Sequence, residues 1–184
     1  MRIPITLAVA AVCTASMPHL TPAATLQQLS LSDMIQKSTM IVRGTVQPGS
    51  TASLRGSLIY THYQLSVTAT YKGAPGPTID IAVPGGALNG FQQPVSGAPT
   101  LVSGRDYLIF LWTSKSGLTQ VIGLSQGLFK VSTNAQGQIS VSRAAITDPM
   151  LDSSGQPVTD LSIQMPLTQL VGKIQAILAV GAAQ

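Results

Sequence analysis

Between Leu58 and Tyr71 the chain alternates without a break. Tyr63, Leu65, Val67, Ala69 and Tyr71 take one parity, and His62, Gln64, Ser66, Thr68 and Thr70 take the other. A period of two does not fit a helix, so this segment is a strand with one face buried and one face in water. A lone strand leaves its backbone donors and acceptors unpaired, so the rest of the chain has to supply a sheet around it.

The remaining text supplies the pieces. TMIVRGTVQ (Thr39 to Gln47) reads as a strand ended by Pro48-Gly49-Ser50, with a polar loop to about Gly56. TIDIAV (Thr78 to Val83), RDYLIFLW (Arg105 to Trp112), LTQVIGL, GLFKVS and QISVS read as further strands, the last two separated by a turn at Asn134-Ala135-Gln136-Gly137. Two helices frame them. LSLSDMIQK (Leu29 to Lys37) has Ser32 as its expected N-cap and Asp33 at the positive end of its dipole. Residues 166–180 set Leu167, Leu170, Val171, Ile174, Ile177 and Leu178 on one stripe behind Pro166. Its polar face carries only Lys173, so docking on the sheet is expected rather than binding to a membrane surface. Pro84 to Arg105 lacks periodicity and reads as a long ordered loop. Residues 143–165 read as a turn-rich surface segment. The expected fold is mainly β: a small barrel over residues 25–142 with helical caps. An outer-membrane barrel does not fit, because aromatic girdles are missing and the chain closes on a helix.

Met1-Arg2, the apolar run from Ile3 to Val12 and the exit Pro22-Ala23-Ala24 have the parts of a secretory signal peptide, expected over residues 1–24. The apolar run is shorter than the ~20 residues that span a bilayer. Val12 stands where lipidation at Cys13 would need Gly or Ala. Export to a periplasm or the medium is therefore expected. Cleavage after Ala24 would remove Cys13, the single cysteine, and His19, leaving His62 as the sole histidine. Such a chain has no disulfide, no thiolate nucleophile and no cysteine zinc site. Charged residues make up 9% of the sequence, and the basic ones are scattered, which argues against nucleic acid as a partner.

The order of motifs resembles a known family. A short helix, IVRGTV (Ile41 to Val46), a long strand ending Tyr71-Lys72-Gly73, a strand into Pro-Gly-Gly, and Arg105 to Ile109 opening RDYLIFL are similar to the netrin-like domain of tissue inhibitors of metalloproteinases. The chain also looks like domains of exported bacterial proteins, some of them joined to matrixin-type proteases. The resemblance covers about Leu29 to Val131. It implies a Greek-key barrel of the oligonucleotide/oligosaccharide-binding (OB) type. It does not carry the inhibitory mechanism, which uses an N-terminal cysteine to chelate the protease zinc; no cysteine stands near Thr25. No HExxH protease motif is present.

Other motifs give little chemistry. Gly123-Leu124-Ser125-Gln126-Gly127 matches the nucleophile-elbow pattern, but LFKVSTN follows where a helix is required, and His62 precedes the serine. A turn or bulge is expected there, and no catalytic residue is assigned. Asp148, Asp152 and Asp160 lack the spacing and terminal Glu of an EF-hand and read as solvated turn residues. No metal or other cofactor site is expected. The long loop is the candidate functional surface: Gly85 and Gly86 allow close backbone approach, Phe91 offers an aromatic anchor, and Asn89, Gln92 and Gln93 offer amides. The expected function is an exported, non-enzymatic binding module whose ligand is a protein of the envelope or extracellular space. Tyr60 and His62, outward on their strand, would serve an alternative role as a glycan-binding or structural envelope protein. A hydrolase using Ser125 ranks last.

Overall fold

The computed structural model describes residues 25–181; the expected signal peptide lies outside them. In chain order the elements are β1 (Leu26–Gln27), α1 (Leu31–Lys37), β2 (Met40–Arg55), β3 (Leu58–Lys72), β4 (Thr78–Pro84), β5 (Gly86–Leu88), β6 (Phe91–Gln93), β7 (Asp106–Thr113), β8 (Thr119–Val121), β9 (Leu128–Thr133), β10 (Ile139–Arg143), β11 (Met150–Leu151), β12 (Pro157–Val158), β13 (Ile163–Pro166) and α2 (Leu167–Gly181). The main sheet has eight antiparallel strands in the order β13-β10-β9-β7-β2-β3-β4, with β8 also paired to β7. Strands β1, β11 and β12 form a small sheet with a parallel β1–β11 pair, and β5–β6 form a separate hairpin.

The protein is mainly β, but among the described residues no sheet closes into a barrel by hydrogen bonds. Strands β4 and β8 approach within 8 Å between Cα atoms without pairing. Strand β8 has three residues and gives way at once to a 3-10 turn, Leu124–Gly127, while β4 ends on Pro84, which has no N–H to donate. Side chains fill the gap instead. Ile79, Ile81 and Val83 of β4 share a buried cluster with Val121, Leu111, Ile109, Val42, Val46 and Leu65.

The apolar run in β7 follows from burial on both faces. Leu108 and Phe110 point into a second cluster with Met34 and Ile35 of α1, Leu167, Leu170 and Ile174 of α2, and Ile41, Phe129, Val131 and Val141. Tyr107, Ile109 and Leu111 point to the first cluster. The rings of Phe110 and Phe129 meet at 5.7 Å between centroids, tilted by 56°, a favoured aromatic arrangement. Among the described residues no helix is long and apolar enough to cross a membrane.

Several local expectations need correction. Ser30, not Ser32, caps α1: its hydroxyl accepts from Asp33 N while the Asp33 carboxylate accepts from Ser30 N, a reciprocal box. Strand β2 does not stop at Gln47. A bulge between Val46 and Ser50 absorbs Pro48, whose missing N–H is harmless there, and pairing with β3 resumes to Arg55. The expected polar loop is therefore the outer half of a long hairpin. Residues 143–165 are not all surface turn, since Ile163–Pro166 adds β13 to the sheet beside β10. Asp160 is buried there: Arg143 donates to both of its carboxylate oxygens at 2.6 and 2.9 Å, and Ile146 N donates at 2.8 Å.

Two motifs of the family resemblance have local explanations. Lys72 donates from Nζ to the carbonyls of Ile35 and Gln36 at 2.7 and 2.9 Å, terminating α1. Burial lowers the pKa of this amine. Within IVRGTV, a Cβ added at Gly44 would collide with the carbonyl oxygen of Ser66, so the β2–β3 approach requires glycine.

Candidate functional site

The β2–β3 hairpin turns through Gly56-Ser57, with Arg55 opposite Leu58, Ser53 opposite Tyr60 and Thr51 opposite His62. Successive side chains leave opposite faces of a strand, so its outer half carries two surfaces, one apolar and one polar.

The apolar surface includes the expected loop. Residues 84–105 are not featureless: Gly86–Leu88 and Phe91–Gln93 pair around Asn89-Gly90, both at positive φ (50° and 83°). An Asn-Gly pair suits that geometry, and it was the overlooked signal for a hairpin. Gln93 ties the loop to β3 by accepting from Ile59 N at 2.7 Å and donating to the carbonyl of Ser57 at 3.1 Å. Thr61 donates to the carbonyl of Gly85 at 2.8 Å, and a Cβ on Gly86 would strike the Thr61 hydroxyl. Gly85, Gly86 and Gln93 therefore anchor the loop. Asn89, Phe91 and Gln92 form its exposed tip. Phe91 is 75% exposed and Leu54 of the other hairpin 59%. With Leu88, Ile59 and Gln92 they border a depression of about 420 Å³.

The polar surface holds an arrangement that the sequence reading missed. Ser53 Oγ lies 2.7 Å from His62 Nε2, and His62 Nδ1 lies 2.8 Å from Asp80 Oδ2. Gln64 Nε2 donates to the other oxygen of Asp80 at 3.1 Å. The three residues come from neighbouring strands β2, β3 and β4 and share one face. A carboxylate can only accept, so Nδ1 carries a proton, and in the neutral imidazole Nε2 then offers its lone pair to the serine hydroxyl. The His62 side chain is 16% exposed and that of Asp80 49%. They line an open depression of about 400 Å³ together with Thr51, Leu54, Arg55 and Gln64. Tyr60 is half-buried opposite Ser53 and Pro84. Both ring nitrogens of His62 are engaged with neighbours.

Ser125 lies far along the chain in the 3-10 turn that interrupts the partner strand of β7, and no histidine faces it among the hydrogen bonds of the described residues. Gly123 and Leu124 take positive φ, 60° and 58°. Gln126, not Ser125, is the structural residue of this motif. It is buried, accepts from Leu29 N at 2.8 Å and donates to the carbonyl of Gln27 at 2.9 Å, tying the segment before α1 to the sheet. Asp148 bonds the Ser96 hydroxyl, and Asp152 accepts from the backbones of Ser154 and Gln156 in a turn. Among the described residues no group of three or more His, Cys, Asp or Glu could hold a metal ion. No known family model matches the sequence, and neither curated proteins nor solved structures give a match.

Proposed function

We propose that this protein is an exported binding module that docks a protein partner on the paired tips of the β2–β3 and β5–β6 hairpins. The observation that carries the reading is Phe91, a large apolar side chain left 75% exposed on a turn that Gln93 and Thr61 tie to β3. Aromatic anchors on preordered loops lose little entropy on binding, which is why they dominate interface energetics. The surround of Leu54, Leu88, Asn89 and Gln92 carries no charge. It suits an apolar segment of a partner protein whose backbone is met by the two amides.

The fold assignment is part of the same proposal. Strands β2, β3 and β4 follow one another, and β7 returns by a long connection to lie beside β2. That order, 4-1-2-3, belongs to a Greek key. With β8 drawn near β4, it supports a partly open barrel of the netrin-like OB type.

The test replaces Phe91 with a photo-reactive amino acid, cross-links in the source cell's envelope and medium, and compares capture by wild type with Phe91→Ser. A saturable, near-stoichiometric protein adduct at position 91, lost from the folded Phe91→Ser protein, is the expected result. Capture that ignores the substitution removes this surface from consideration.

A further inference from the structure

We propose that Ser53, His62 and Asp80 form an acyl-transfer site in which Ser53 is the nucleophile. The docking surface occupies the other face of the hairpin, and the two depressions share only Leu54 on their walls. Nucleophile, base and orienting group lie at the distances such chemistry uses, 2.7 and 2.8 Å. Gln64 fixes the free oxygen of Asp80, so the carboxylate is held by a further contact besides the histidine. Arg55, two residues beyond Ser53 on the same face, is the one cation on the wall of the depression; Nη1 donates to Ser116 Oγ at 3.4 Å, and its other N–H groups would be the donors for a developing oxyanion. Apart from Leu54 the wall is polar, and it opens to solvent. Its substrate class is therefore a carboxylic ester carried on a larger hydrophilic molecule, not a lipid.

Ser53 Oγ bonds to the carbonyl carbon as its proton passes to His62 Nε2. The bond to the alcohol oxygen then breaks as Nε2 returns that proton to the departing alkoxide. Water adds to the acyl-serine by the same route, releasing the carboxylic acid and restoring the hydroxyl. Asp80 holds the imidazole in the required tautomer throughout.

The experiment treats the purified protein with a fluorophosphonate, maps the adduct by mass spectrometry, and follows hydrolysis of 4-nitrophenyl acetate. Labelling at Ser53 is expected in the native protein and not in urea. Turnover should fall about a hundredfold or more in Ser53→Ala, His62→Gln and Asp80→Asn, while Ser125→Ala keeps both signals. Circular dichroism identifies any variant that fails to fold, and the native-versus-urea comparison on wild type decides in that case. Absence of label at Ser53, label that persists in urea, or turnover unchanged in a folded His62→Gln protein overturns the assignment.

Discussion

Replacing Asp160 with Asn removes one charge from a nearly enclosed pair, since the side chains of Arg143 and Asp160 are 8% and 6% exposed. In the native protein the carboxylate accepts two bonds from Arg143 and one from Ile146 N. An amide keeps one acceptor and turns its NH2 toward the guanidinium, so one charge-assisted bond is lost, at about 1.5–3 kcal/mol. With the guanidinium left stranded, breaking a buried pair from one side costs ~3–5 kcal/mol in all, the lost bond included. Nε of Arg143 is already a buried donor without an acceptor, so no spare acceptor beside it compensates. A net loss of about 3 kcal/mol is expected, and at ~2–4 °C per kcal/mol for a chain of this size Tm falls by roughly 6–12 °C. Urea unfolding should show a lower midpoint with an unchanged slope. The double variant Arg143→Met with Asp160→Leu should recover part of the loss, because an apolar pair avoids the desolvation cost of the charges but leaves Ile146 N without its acceptor.

Acid provides a second readout of the same pair. Burial is the largest influence on Asp160 and opposes ionisation. The Arg143 hydrogen bonds, the bond from Ile146 N and the attraction of the guanidinium outweigh it and hold the pKa below the ordinary 3.8. The folded protein therefore binds fewer protons here than the unfolded chain. The stabilisation is complete above the ordinary value and disappears as pH falls through the folded one. The gap between wild type and Asp160→Asn should narrow below pH 3.8. A loss under ~1 kcal/mol at neutral pH, or a double variant no better than Asp160→Asn, refutes the reasoning.

Gln126→Ala strands Leu29 N and the carbonyl of Gln27 and should cost about 2–3 kcal/mol, with faster hydrogen exchange confined to residues 26–31. Lys72→Met leaves the carbonyls of Ile35 and Gln36 without their donor and should lower stability by ~1–2 kcal/mol in urea titration. Gly44→Ala drives a Cβ into the Ser66 carbonyl and should cost about 1–3 kcal/mol or more. Gly104→Ala, where the added Cβ meets open space, should cost less despite its positive φ. Phe91→Ser should leave unfolding within ~0.5 kcal/mol of wild type.

The order of the larger strands was legible because alternation and apolar runs are local properties. Leu58 to Tyr71 and RDYLIFLW declare themselves this way, and the heptad-like stripe of residues 167–178 does the same for α2. Turns that look like breaks were harder to read. Pro48-Gly49 has the composition of a strand end, yet the chain keeps its direction through a bulge, because the β3 ladder beyond it outweighs one lost donor. That misreading also hid Ser53, which stood in a supposed loop and so had no register with His62. Counting back from Gly56-Ser57 would have set Ser53 diagonally against His62, but Asp80 reaches the pair only through a third strand. Asp160 looked like a solvated turn residue because its partner Arg143 precedes it across a connection with no periodicity.

Strand β7 has a further consequence for how the chain reaches this state. Ile41 pairs with Phe110 and Val42 with Ile109, so β2 gains its second neighbour across the whole length of the β3–β6 segment. The β2–β3 hairpin is local, but its outer half exposes polar side chains on one face and gains little from collapse. Closing so long a loop before any core exists makes the folding barrier largely entropic. Refolding should fall at the slow, ms–s end of the range for small domains.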